Sequence, residues 1–251
     1  MNFLSLNING VADPNKQVWV HNLKSKLRCD FIGLQETHQA GMSEVDLSRF
    51  WDRSAMMTAS VDLVGRSRGL VSIWDSGTFS ADFIVKRQRF LVVSGTVLGS
   101  NGKLNILNLH APNDLRSRRE LWDEIVEIKG QMEGLWIMFG DFNDVRSEEE
   151  RVNSRFDGAS TAAFNGFIFC AGLLEFPMIG GMYTFISDNL DVKLSRLDRF
   201  LVCDTFISNW PHAKVEVHKR GHSDHCPLSL SCGFLDFGPT PFKFYNSGGG
   251  S

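Results

Sequence analysis

The stretch "LWIMFGDFND", Leu135 to Asp144, decides how the chain is read. Its first five residues are apolar, as in a strand buried on both faces. The run breaks at Gly140 and delivers Asp141 and Asn143, two polar side chains two positions apart. A core strand that leads straight into a carboxylate and an amide on the same side raises the question of what the two polar groups serve.

The same form recurs along the chain. "NFLSLNI" is a short apolar run containing Asn7, with Asn9 just beyond it, and "DFIGLQETH" delivers Glu36. Asp198 and the triplet Ser223-Asp224-His225 also border apolar runs. Taken singly, each is a turn or cap residue. Together they are oxygen donors plus one imidazole, the groups that hard divalent cations take as ligands.

Around these runs the pattern is many strands and few helices. "GLVSIW", "FSADFIV", "FLVVSGTVLG", "KLNILNLHAPN", "MYTFIS", "SRLDRFLV", "KVEVHK" and "CPLSLSC" read as strands. Asn101-Gly102 is a hairpin signal. Helices are expected after Asp13-Pro14, with Val20, Leu23 and Leu27 at helical spacing. Another spans about 115 to 132, capped by Asn113 or Asp114, with Leu121, Ile125, Ile128 and Met132 on one face. A third is "STAAFNGFIFCAGL", with Ser160 as its cap. Helices and strands do not alternate strictly. A layered α/β or α+β domain, sheets inside and helices outside, fits better than a doubly wound parallel sheet.

The 251 residues, 43% hydrophobic, suffice for one large core. A net charge of -3 excludes a uniformly basic nucleic-acid binder but not a local basic face. Five scattered cysteines with no Cys-x-x-Cys pair fit a reducing intracellular compartment. The N-terminus lacks the form of a signal peptide, and no apolar run reaches membrane-spanning length. The closing "GGGS" reads as an appended linker.

In chain order, "LNING", "QETH", "APN", "GDFN", "SRLDRFL" and "SDHCPL" resemble the exonuclease–endonuclease–phosphatase superfamily. That group includes apurinic/apyrimidinic endonucleases, pancreatic DNase-like nucleases and inositol phosphatases. "LNING…QETH" and "SRLDRFL" look most like the endonuclease domain of LINE-type, non-LTR retrotransposons. "PFKFYN", Pro241 to Asn246, looks like the exit from that domain in plant elements.

The resemblance implies a four-layer α/β/β/α sandwich of two packed mixed sheets with helices outside. The endonuclease domain would span residues 1–238, the exit 239–246 and the linker or tag 247–251. The implied activity is a Mg²⁺-dependent nick in one strand of double-stranded DNA, leaving a 3′-hydroxyl; Mn²⁺ is the alternative ion. That end would prime reverse transcription by a reverse transcriptase domain in cis, in the nucleus and without a membrane. An abasic-site repair endonuclease and a small-molecule phosphatase of the same superfamily are the alternatives.

Carried over residue by residue, Asp141 positions or deprotonates the attacking water and Asn143 hydrogen-bonds the phosphate. Glu36 is the principal metal ligand, with Asn7 beside it and Asp224 near the metal or its waters. His225 sits at the phosphate, oriented by Asp198. His110 stands where the family usually has a tyrosine that contacts the phosphate, a departure that can shift activity. Asn9, Asn113, Thr184, Ser223 and Lys193 fall on the DNA side. Ser187 to Ser195 corresponds to a hairpin loop that probes the groove, carrying Asp188, Asn189 and Lys193. The basic clusters at 86–89 and 116–119, with Lys219 and Arg220, are candidates to hold DNA phosphates if they face the site. Glu148 to Glu150 read as a solvated helix start.

Overall fold

Each apolar run folds as a strand in the computed structural model, which describes residues 1–52, 54–62, 68–100, 102–188 and 190–233. In chain order the elements are β1 (Asn2–Asn7), α1 (Pro14–Leu27), β2 (Phe31–Gln35), α2 (Glu44–Ser48), β3 (Met56–Val61), β4 (Leu70–Asp75), β5 (Phe79–Lys86) and β6 (Phe90–Val97). Then come β7 (Lys103–His110), α3 (Leu115–Gln131), β8 (Leu135–Asp141), a 3₁₀ turn at Glu148–Glu150, β9 (Arg151–Val152), α4 (Gly158–Cys170), β10 (Leu173–Glu175) and β11 (Met178–Ile179). The chain continues through β12 (Phe185–Ile186), β13 (Leu194–Ser195), β14 (Asp198–Cys203), α5 (Asp204–Asn209), β15 (Lys214–Val217) and β16 (Leu228–Ser231).

The strands make two large mixed sheets. One runs β11-β15-β16-β1-β2-β4-β3, the other β10-β14-β8-β7-β6-β5; a small third sheet is β12-β13-β9. β1 and β2 are parallel, as are β7 and β8. The large sheets pack face to face through aromatic side chains. Phe31 stacks on Trp74 at 5.9 Å and takes the edge of Phe139, from the other sheet, at 6.1 Å. Outside the first sheet, Val20 of α1 and Leu47 of α2 cover Leu4, Leu6, Ile32 and Leu34. Outside the second, Trp122 of α3 stacks on Phe167 of α4 at 4.5 Å. The layers are therefore α/β/β/α, as expected.

The gap between the sheets is set by a glycine and bridged by amides. A Cβ on Gly33 would lie 2.2 Å from the ring of Phe139. Beside it, Gln35 donates to Asn108 Oδ1 at 2.6 Å, and Asn108 donates to the Val71 carbonyl at 2.9 Å. These buried polar groups pair across the gap, so the sheets cannot slide without losing hydrogen bonds.

Asp13 and Asp114 cap α1 and α3 as the sequence suggests. Ser160 is not a cap. Asp157 caps α4 three residues earlier, and the Ser160 hydroxyl is buried, donating to Asp144 at 2.6 Å. "SRLDRFLV" is two strands, because the Thr184 hydroxyl takes the backbone N–H groups of both Leu197 and Asp198, at 3.0 and 2.9 Å, in place of a strand ladder. The weakly patterned stretch after Gly41 holds α2, closed by a Ser43–Asp46 capping box. Glu150 is no solvated helix start: it pairs with Arg196 and fully buried Arg199. Asn101, Asn189, "PFKFYN" and "GGGS" lie outside the described residues. No helix among the described residues is long and apolar enough to cross a membrane.

Gly33→Ala should force Phe139 out of its position and destabilise the fold by about 1–3 kcal/mol. A denaturant melt checks this, and an unchanged midpoint would show that the gap can widen freely.

Candidate active site

Strand register places the polar side chains. β7 runs parallel to β8 with His110 beside Asp141, and β14 runs antiparallel with Asp198 opposite Asp141. His110, Asp141 and Asp198 thus form one row at the end of one sheet. From the other sheet, β1 ends at Asn7 and Glu36 follows β2, while the loop before β16 carries Ser223, Asp224 and His225. Gly140 lets β8 enter this row. Its φ is +137°, and a Cβ there would meet the Leu109 carbonyl oxygen at 2.0 Å. Asn9, Glu36, His38 and Asn143 all adopt left-handed backbone with φ of 48–53°. Such strain in non-glycine residues gathers at functional sites.

The hydrogen bonds define the chemistry. His225 Nδ1 lies 2.7 Å from Asp198 Oδ2, which turns Nε2 toward Asp141 Oδ2 at 3.8 Å. Burial alone would lower the His225 pKa, but the charge and hydrogen bond of Asp198, with Asp141 and Asp224 behind them, push it up to about 10. Asp141 moves upward too: burial and the Asp198 charge outweigh the pull of His225 and His110. Asp141 Oδ1 accepts from the Asn143 backbone at 2.9 Å and Oδ2 from the Asn7 amide at 3.0 Å. Glu36 moves the opposite way. Burial would raise its pKa, but His110 at 3.1 Å, Arg68 at 2.7 Å and Asn7 hold it well below the usual carboxylate range.

Two groups of side chains offer ligand atoms close enough to share an ion: Glu36, His110 and Asp141, and Asp141, Asp198 and His225. Their carboxylate oxygens and imidazole nitrogens suit a divalent cation. Glu36, Asp141 and His225 face a cleft of about 330 Å³ that also presents Asn143, Asp224 and Arg68.

Residues 4–225 match the Endonuclease/Exonuclease/phosphatase family. The chain belongs to that family. Its members are hydrolytic enzymes, mostly nucleases or phosphatases. Three solved structures show the same fold. The AP endonuclease LMAP from Leishmania major is 14% identical, with a TM-score of 0.69, covering 91% of this chain and 86% of its own. An AP endonuclease from Archaeoglobus fulgidus is 13% identical at a TM-score of 0.69, covering 92% and 98%. The endonuclease domain of TRAS1, a telomere-specific non-LTR retrotransposon, is 14% identical at 0.63, covering 91% and 96%.

In this family member most of the expected residues converge. Glu36, His110, Asp141, Asn143, Asp198, Asp224 and His225 meet at the cleft or directly behind its wall. Asn9 and Asn113 line it, and Lys193 reaches it from the hairpin between β12 and β13. Asn9 donates to Asp224 at 3.2 Å. Asn7 is an orienting donor here: its Nδ2 serves Asp141, and its Oδ1 accepts from the Asn9 backbone. Ser223 donates to the Asn7 carbonyl at 2.7 Å and so ties the two loops together. Thr184 is fully buried, 0% exposed, and positions Asp198 from beneath rather than facing DNA.

The basic clusters divide. Arg118 is buried, pairs with Asp144 at 3.3 Å and donates to the carbonyls of Pro112, Asn113 and Asn143. It is a brace under the cleft, not a phosphate contact. Arg116 pairs with Glu120, Arg87 with Glu124, and Arg220 with Asp188 on the hairpin. Sequence reasoning missed Arg68, Arg151 and Phe185, which line the cleft. Arg151 follows the acidic run, and Phe185 sits in a strand pattern whose partner, His225 at 5.2 Å, is remote in sequence.

Asp198→Asn should bring the His225 titration down from about 10 toward the ordinary imidazole range, read by NMR on the metal-free protein. Folding raises this pKa, so the pairing stabilises the fold fully below about pH 6.5 and is lost as pH climbs through about 10. The variant should therefore lose stability more gently over that window. An unmoved His225 titration would remove Asp198 as the cause.

Proposed function

We propose that this protein is a divalent-metal-dependent endonuclease that hydrolyses one phosphodiester of double-stranded DNA and leaves a 3′-hydroxyl. The observation that supports it most is the convergence of Glu36, Asp141, Asn143 and the Asp198–His225 pair on one open cleft. Mg²⁺, or Mn²⁺ in its place, would be held by Glu36 and supplies charge neutralisation at the phosphate. Asp141, with its raised pKa, takes a proton from the attacking water more readily than an ordinary carboxylate. His225 is protonated at neutral pH and presents Nε2–H to the developing phosphate charge, its ring fixed by Asp198. Asn143 and His110 stand beside each other at 3.3 Å as further donors to the phosphate.

In its biological setting we infer a LINE-type retrotransposon of the plant kind. The nick would prime target-site reverse transcription in the nucleus by a reverse transcriptase domain on the same polypeptide. "LNING", "QETH" and "SRLDRFL" support this reading.

Supercoiled plasmid tests it. Mg²⁺ should yield open circles, EDTA should abolish them, and Asp141→Ala and His225→Ala should each lower the rate by roughly 100-fold or more. A polymerase should extend the nick directly, as a 3′-hydroxyl allows. Strong preference for an abasic duplex would make the protein a repair endonuclease. Hydrolysis of soluble phosphate esters without nicking would make it a phosphatase. If intact plasmid survives every condition, His110→Tyr separates a weakened nuclease, which it restores, from a protein that does not cut DNA.

A further inference from the structure

Both carboxylate oxygens of Glu36 face nitrogen donors. Oε1 faces His110 at 3.1 Å, and Oε2 faces both Arg68 at 2.7 Å and His38 at 3.1 Å. A cation that takes Glu36 through Oε2, the oxygen that already meets two donors, must displace one of them. The guanidinium of Arg68 keeps its charge, so Arg68 competes at every pH. Arg68 is also the most exposed of the three, its side chain half open to solvent at 50%, against 39% for His38 and 8% for His110. It immediately precedes Gly69, whose φ is +82° and where a Cβ would meet the Thr37 hydroxyl at 2.3 Å. The backbone there is pressed against the segment that carries Glu36, which sets Arg68 at the rim of the cleft beside that carboxylate.

The guanidinium lines the same cleft as Asn143 and His225. Its planar fork suits a phosphate as well as it suits a carboxylate. We propose that Arg68 is a latch that exchanges Glu36 for a backbone phosphate of the substrate, so that DNA binding frees Glu36 for the divalent ion. The latch rests on Glu36 being the metal ligand of the proposed nuclease. It makes metal and DNA bind cooperatively, and the coupling is reciprocal: DNA raises the affinity for the ion by the same factor as the ion raises the affinity for DNA. It also keeps Glu36 ionised and neutralised while no ion is bound, which the buried site needs in any case.

Calorimetric titration with Mn²⁺ separates the cases, on protein alone and on protein saturated with a phosphorothioate duplex that is not cut. Without DNA, Arg68→Gln should bind Mn²⁺ roughly tenfold more tightly than the wild type, since a charge-assisted bond no longer has to be broken. Arg68→Lys, which keeps the charge without the fork, should fall between them. With the duplex bound, the gap between wild type and Arg68→Gln should close to within about twofold. Equal affinities for wild type and Arg68→Gln without DNA, with binding lost in Glu36→Gln, would overturn the latch and leave the nuclease reading standing. Mn²⁺ binding that survives Glu36→Gln, or is absent from the wild type even with DNA, would overturn the metal assignment and the latch with it.

Discussion

The hydrogen bond from Asn7 to Asp141, 3.0 Å long, crosses from one large sheet to the other at the mouth of the sandwich. Asn7 ends β1 and Asp141 ends β8, so the bond forms only if the sheets are at the right separation and in the right register. The separation comes from Phe139 seated on Gly33, and the register from Asn108 and Gln35 bonded across the gap. Asn7, Glu36, His110, Asp141 and Asp198 each end or follow a strand of one large sheet or the other. A shift of 1 Å between sheets would part Glu36 from His110 and Asn7 from Asp141 together. Precision at the mouth is therefore a property of the core, since packed interiors transmit displacement rather than absorb it.

A second layer of groups turns strand ends into aimed side chains. Thr184 holds the backbone of Asp198, Ser223 joins the loop before β16 to β1, and Arg118 grips the loops after β7 and β8. Each uses buried hydrogen bonds to backbone, which fix position more tightly than exposed pairs because an unmade buried bond is costly. The Arg196–Arg199–Glu150–Glu175 cluster does the same for the small sheet, tying the β9 edge to β14.

The residues that end strands were legible in sequence because the pattern is local: an apolar run stops, and a carboxylate or amide follows. The caps at Asp13 and Asp114 were legible for the same reason. The layering of sheets and helices followed from the count and order of runs, and the four-layer form from family likeness. What was hidden has partners far away in the chain. Arg118 stands in a basic run and looks like solvated surface; only the fold brings Asp144 and three carbonyls around it. Glu150 looks like part of an acidic face until Arg199 and Arg196 close on it. Ser160 has the right type for a cap, but Asp157 sits at the position whose side chain reaches the free N–H groups of α4. Arg68 carries no local signal, for it is one arginine before a glycine.

Four carboxylates at one mouth would repel one another and open the site if all were alike. The structure differentiates them by partner. Glu36 is surrounded by two imidazoles and a guanidinium and stays an anion to very low pH. Asp198 has the His225 ring, and Asp224 has the Asn9 amide and the Ser223 hydroxyl. Asp141 has only neutral donors in direct contact, the Asn7 amide and the Asn143 backbone, with both histidines 3.8 Å away. It is the carboxylate whose proton affinity rises. Environments that push two acids apart divide the labour between them: one stays charged and holds a cation, the other exchanges a proton. That division follows from which strand each acid ends. Glu36 follows β2 beside the chain that supplies Arg68 and His38, whereas Asp141 ends a central strand, flanked by β7 and β14, where desolvation is greatest.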